Sequence, residues 1–118
     1  MNDHPKLQHP GVGEITLDGV LGALSDGHRR RIVELLVREG DSLSGTCTAW
    51  AGVAPSAGSH HLRVLREAGV TRTRIEGNQR VVALRRSDLD QRFPGLLDTV
   101  LAASTTDPST LDQDELLG

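Results

Sequence analysis

The chain has 118 residues, a net charge of -3 and 36% hydrophobic side chains, with Trp50 and Phe93 as its only aromatics. That suffices for one domain with an aliphatic core and leaves little room for two. No apolar run approaches the roughly 20 residues that span a bilayer, the opening MNDHPKLQHPGVGE lacks a signal peptide's apolar stretch, and the single cysteine, Cys47, excludes an internal disulfide and a four-cysteine zinc site, so the expectation is a cytoplasmic protein with no membrane partner.

Residues 1–14 carry prolines, glycines and histidines without periodicity and read as a flexible arm. Ile15, Leu17, Val20, Leu21 and Leu24 then recur at helical spacing and predict a first helix. Asp26 is placed to cap a second helix from His28 to Glu39, with Ile32, Val33, Leu35, Leu36 and Val37 inward and Gly40 at its end. Arg29, Arg30 and Arg31 break a local rule, because cations in a first turn oppose the helix dipole. They are tolerated there, or they pair with an acid across an interface or touch phosphate.

A short segment, Thr46 to Ala51, is joined through Gly52 and Pro55 to a longer one, Ser56 to Ala68, in the pattern of a helix-turn-helix. Leu62, Val64 and Leu65 form the buried stripe of the longer helix, which leaves Ser56, Ala57, Ser59, His60, Arg63 and Arg66 outside. That face is small at its N-terminal end and basic beyond it, a shape that can enter a major groove. His60 and His61 are about 100° apart around the helix, so they do not share a face. His60 goes to the outer side and His61 inward, as a semi-buried structural histidine or a ligand. Gly58 is unusual in mid-helix and allows either closer helix packing or a looser helix.

Residues 70–76 alternate strictly, Gly77-Asn78 signals a turn, and Gln79 to Arg85 is rich in β-branched residues, which together predict a hairpin with Arg72, Arg74 and Glu76 on one face. Ser87 and Asp90 resemble a capping pair, but Pro94 interrupts, so the final helix is placed from Pro94 to about Ala103 with Leu96, Leu97, Val100 and Leu101 along one side. Residues 104–118 form an acidic tail read as disordered, with Leu111, Leu116 and Leu117 able to dock if a groove is offered. Between residues 55 and 86 seven arginines face two glutamates, the charge pattern of a nucleic-acid-binding element or of a solvated basic face.

The expected fold is mainly α with a small β-hairpin, in the order α-α-α-α-β-β-α of a winged helix-turn-helix. The run Leu21-Gly-Ala-Leu-Ser-Asp-Gly-His-Arg-Arg-Arg-Ile32 and the run Ser59-His-His-Leu-Arg-Val-Leu-Arg-Glu-Ala-Gly69 resemble the bacterial ArsR (ArsR/SmtB) family of transcriptional regulators, over about residues 15–103. The resemblance implies a homodimeric regulator of double-stranded DNA, often a repressor, joined through its first and last helices. Val20, Leu21, Leu24, Leu96, Leu97, Val100 and Leu101 are the corresponding interface residues. Ser56, Ala57, Ser59 and His60 are candidates for reading bases. Arg63, Arg66, Arg72, Arg74 and Arg80, with Asn78 and Gln79 at the wing tip, are candidates for phosphates or a minor groove.

The family's metal sites do not carry over. The two thiolate positions fall on Leu43 and Gly45, and the last helix offers only Asp98 and no histidine, so no metal and no cofactor is assigned. Cys47 reads as a small inward hydrophobe. A metal- or redox-responsive site that recruits His4 or His9 to Cys47 stays open as an alternative, as does a winged-helix module that binds protein instead of DNA. No nucleophile elbow, P-loop, dinucleotide fingerprint or H-E-x-x-H motif occurs, which argues against an enzyme. Trp50 is an exposed aromatic for a partner or small ligand, or, as the expected reading, packs against the second helix.

Overall fold

Capping side chains fix where the first helices start. In the computed structural model, which describes residues 7–109, the Thr16 hydroxyl accepts the N–H of Gly19 at 3.0 Å and opens α1 (Leu17–Ala23). The Asp26 carboxylate accepts the N–H groups of His28 (2.8 Å) and Arg29 (3.2 Å) and opens α2 (Gly27–Glu39), which ends at Gly40. Ile15, placed by periodicity in the first helix, instead precedes the cap and is fully buried. On α2 the residues Ile32, Val33, Leu35 and Leu36 enter the core, while Val37, also expected inward, is 43% exposed.

The three arginines at the start of α2 turn back onto α1 and α3 (Ser44–Ala51). Arg29 Nε donates to the Ala23 carbonyl (2.6 Å) and Arg30 Nη1 to that of Leu24 (2.9 Å), so both satisfy oxygens at the C-terminal end of α1, where cations are favoured. Arg30 also holds the hydroxyls of Ser104 (2.8 Å) and Ser109 (2.9 Å). Arg31 reaches the Trp50 carbonyl and lies 5.7 Å from the centre of the Trp50 ring. The broken local rule thus has a tertiary explanation within the domain.

After α2 come a two-residue strand β1 (Ser42–Leu43), α3, α4 (Pro55–Glu67), β2 (Thr71–Glu76) and β3 (Gln79–Leu84). The strands form an antiparallel sheet in the order β1-β3-β2, with Thr73 opposite Val82 and Glu76 opposite Gln79 across the Gly77-Asn78 turn. β1 pairs Ser42 with Val82 and is an element that no period of two residues could announce. The alternation of β2 holds: Thr71 and Thr73 are buried while Arg72, Arg74 and Glu76 are exposed.

Two helices follow β3 where one was expected: α5 (Arg86–Arg92) and α6 (Leu96–Ser104), separated at Pro94 and Gly95. Together with the short strand, this amends the expected order to six helices and three strands among the described residues, within a winged helix-turn-helix. Ile15, Val20, Ile32, Leu65, Val82 and Leu97 belong to one apolar core shared by α1, α2, α4, the sheet and α6.

Residues 7–14 do not stand away from the domain as an arm. Thr73 N–H donates to His9 Nε2 (3.0 Å), Arg85 Nη1 donates to the Pro10 carbonyl (2.8 Å), and residues Val12–Glu14 make a single 3-10 turn closed by the Glu14 carboxylate on the Gly11 N–H. Because β2 is an edge strand, His9 covers one of its outward donors. Gly69, at φ 84°, ends α4 through the Val70 N–H to Leu65 carbonyl bond (2.9 Å), and a side chain there would stand 2.6 Å from Ile15. His4 and the tail residues Leu111, Leu116 and Leu117 lie outside the described residues.

Candidate nucleic-acid interface

α3 and α4 are held at a close crossing. Gly52 takes the left-handed conformation (φ 75°, ψ 31°) that the turn needs, and Pro55 occupies the first turn of α4. Gly58 is buried directly against Thr48: a Cβ at Gly58 would lie 2.6 Å from the Thr48 Cβ. Of the two possibilities for this glycine, the structure realises the closer packing. Leu62 and Leu65 face the core, while Ser56, Ala57, Ser59, His60 and Arg63 are exposed along one side of α4.

Arg66 departs from its expected place. It is only 8% exposed, and its Nε finds no hydrogen-bond partner among the described residues. Burial lowers its pKa, Glu67 opposes that change, and the charges of Arg80 and Arg63 add to it. The reason is geometric, since Arg66 follows Gly58 and Leu62 at intervals of four residues and so falls on the buried face of α4. It is therefore a cation beneath the surface and does not belong to the outer face of α4.

On the wing, Asn78, Gln79 and Arg80 are exposed at and beside the turn. Arg72 has a half-exposed side chain 4.0 Å from Asp88. Arg74 is committed to two carboxylates, Asp41 (2.7 Å) and Glu76, which hold its guanidinium more basic than usual. Arg85 is buried on Pro10 and Asp88, and Arg86 pairs with Asp98 at 2.9 Å. Much of the basic excess counted in the sequence is thus spent internally. Among the described residues, Arg63 and Arg80 have no carboxylate partner.

Histidines bracket this surface. His28 Nδ1 lies 3.0 Å from the Ala51 carbonyl, Arg29 Nη1 3.1 Å from His61 Nδ1, and Arg63 Nη2 3.2 Å from His60 Nδ1. His61 is half-buried between α2 and α4, as the structural reading of that histidine expects. Burial lowers the pKa of His61, with Arg29, His28 and His60 adding to the effect and Asp26 opposing it. Burial likewise lowers that of His9, helped by Arg72, Arg66 and Arg85. Both rings use a bare nitrogen as an acceptor, so a proton would remove the acceptor as well.

Because the folded pKa values lie below the ordinary 6.5, the unfolded chain takes up protons first on acidification. The stabilisation from these two histidines is therefore complete above about pH 6.5 and is lost as pH falls through that value toward the lowered folded pKa. Urea midpoints are expected to be lower at about pH 5.5 than at about pH 7.5, a window above ordinary carboxylate titration, and a His9→Gln/His61→Gln double variant should flatten part of the difference. A midpoint that rises on acidification would contradict this assignment.

The residues named for a dimer face divide into two groups. Val20, Leu24 and Leu97 are buried in the chain's own core, Leu97 at 2% exposure, because the inner sides of α1 and α6 close over Leu89 and Phe93. Leu21 remains 43% exposed, Leu96, Val100 and Leu101 are half-buried, and Leu17, which was not named for this face, is exposed as well. A charged residue at Leu97 would therefore unfold the domain before it informed on association.

Cys47 is fully buried, and burial pushes its thiol up to about 11, so it is a packed hydrophobe in this fold. His9 is engaged at Thr73. No group of three His, Cys, Asp or Glu side chains among the described residues is arranged to hold a metal ion. Trp50 lies against α2 as expected, with the guanidinium of Arg38 5.2 Å from its ring centre. Sequence reasoning missed Asp41, which neutralises a wing arginine from the residue before β1, at the opposite edge of the sheet. No signal along the chain links the two.

A model of the bacterial regulatory protein family arsR matches residues 26–72, which run from the cap of α2 to the start of β2. Over 82 residues the chain is 34% identical to an uncharacterized HTH-type transcriptional regulator, YceK, of Bacillus subtilis (strain 168), an alignment that covers 69% of this chain and 82% of that protein. Among the described residues, no helix is long and apolar enough to cross a membrane.

Proposed function

The chain belongs to the ArsR family of bacterial helix-turn-helix transcriptional regulators, and from that premise we propose that it is a repressor that binds a pseudo-palindromic operator as a homodimer, with α4 in the major groove and the wing on the flanking backbone. Two copies joined through α1 and α6 would set their α4 helices about 34–36 Å apart, one turn of duplex. Ser56, Ala57, Ser59 and His60 read base edges. Arg63, Arg72 and Arg80, with Asn78 and Gln79, hold phosphates or a minor groove. Such a regulator acts on cytoplasmic DNA and uses no catalytic group and no resident metal or cofactor.

The observation that carries this reading is the set of cations between α4 and the wing. Arg63 and Arg80 lack carboxylate partners among the described residues, and both disfavour the charge of the buried, incompletely bonded Arg66. A phosphate placed among them would relieve that repulsion, and the small side chains of Ser56, Ala57 and Ser59 leave the entry to the groove clear. Arg74, spent on Asp41 and Glu76, contributes less than its position in the sequence implies.

Arg80→Ala tests the sorting of contacts. It should weaken binding to every sequence by a similar factor and reduce the salt slope by about 0.9, one phosphate contact. A changed base preference at one position, with the slope intact, would move Arg80 to the base-reading group.

A further inference from the structure

On α4, Arg63 sits one turn after His60, and its Nη2 lies 3.2 Å from His60 Nδ1. A guanidinium can only donate, so Nδ1 must carry the lone pair, and the one proton of the neutral imidazole must be on Nε2. The neighbouring rings show that this is a local choice. His61 is fixed in the same tautomer by Arg29, whereas His28, beside the Ala51 carbonyl, carries its proton on Nδ1. The His60 ring stands 5.8 Å from that of His61 and tilted by 52°, and unlike His61 it is exposed on the outer face of α4. It offers solvent a donor at Nε2 and no acceptor.

Base edges in the major groove respond differently to such a group. Guanine shows two acceptors, N7 and O6; adenine shows an acceptor beside a donor; thymine shows one acceptor beside a methyl group; cytosine shows only a donor. On guanine alone do a lone donor and the guanidinium beside it each find an acceptor. We propose that Arg63 fixes His60 as a hydrogen-bond donor and that His60 thereby selects a guanine in each operator half-site. This rests on the reading of α4 as the helix that enters the groove. Arg63 acts here as a positioning residue, and His60 makes the contact.

Selection from a pool of randomised duplexes tests it, using the full chain and the variants His60→Ala, His60→Gln and Arg63→Met, with circular dichroism to confirm that each is folded. The wild-type protein should enrich a half-site with guanine at a position where His60→Ala loses about fivefold to tenfold of the preference, near the lower end of what a mismatched pair costs, with the other positions kept. His60→Gln, which offers a donor beside an acceptor, should move that position to adenine. Arg63→Met should relax it, because the ring can then present either nitrogen. Nitrogen-15 shifts of the wild-type imidazole should show a protonated Nε2 and a bare Nδ1 at His60. An unchanged guanine in His60→Ala, or a proton on Nδ1, would overturn the inference while leaving the operator reading intact. A wild-type protein that enriches no sequence would overturn the operator reading itself, and this inference with it.

Discussion

Replacing Gly58 by valine is expected to lower the folding free energy by about 3 kcal/mol or more, and replacing it by alanine by about 1–2 kcal/mol, although alanine is the better helix former by about 1 kcal/mol. The opposing effect is steric. A Cβ on Gly58 would stand 2.6 Å from the Thr48 Cβ and still nearer to its γ-methyl, on a helix tied to α4 by the short Gly52 turn. Neither backbone can retreat without disturbing Cys47 or Leu62, both packed in the core. Urea unfolding measures the loss, and Thr48→Ala, which deletes the nearest atom, should return part of it in the alanine variant, so that the two substitutions are non-additive. An alanine variant more stable than the wild-type protein would mean that propensity wins and that the contact between α3 and α4 is soft.

Arg30→Met is expected to destabilise the domain by about 2–4 kcal/mol, a fall in melting temperature of about 10–20 °C for a chain of this size. Arg30 is 9% exposed and its guanidinium donates to the Leu24 carbonyl, the Ser104 hydroxyl and the Ser109 hydroxyl, so its removal strands oxygens on α1 and α6 together. Methionine keeps most of the stem's apolar volume, which makes the loss report mainly on the hydrogen bonds. A change below about 0.5 kcal/mol, the range of an ordinary surface substitution, would show that water replaces the guanidinium without penalty. Because α1 and α6 form the proposed dimer face, the same variant should dissociate at higher protein concentration than the wild-type chain.

Much of this architecture is written locally. Asp26, Gly40, Gly52, Pro55 and Gly69 mark helix boundaries through capping and turn chemistry that acts within a few residues, and strict alternation exposes the wing. β1 escapes notice because two residues cannot show a period, and α5 because its seven residues end just before Pro94 and Gly95. Arginines are the larger gap. A count of charges treats Arg63, Arg66, Arg74 and Arg85 alike, yet the fold exposes the first, buries the second and fourth, and neutralises the third with Asp41 and Glu76. Partners 33 to 75 residues away decide those outcomes for Arg74 and Arg85. The same holds for His9, whose acceptor role toward Thr73 depends on a contact between the start of the chain and an edge strand. For the candidate site, the outer face of α4 and the tip of the wing are legible from spacing, and the same spacing places Arg66, four residues after Leu62, on the buried face, which its charge obscures.

The most direct test of the central claim is a footprint of the full chain on fragments of its source genome, including the region upstream of its own gene, across about 50–200 mM salt. The expected result is a protected site with approximate two-fold symmetry, half-sites about one helical turn apart, and protection that persists at physiological salt. Retention at low salt alone, with no discrete protected site, would contradict it, because the arginines between α4 and the wing would then supply bare electrostatics and no reading of sequence.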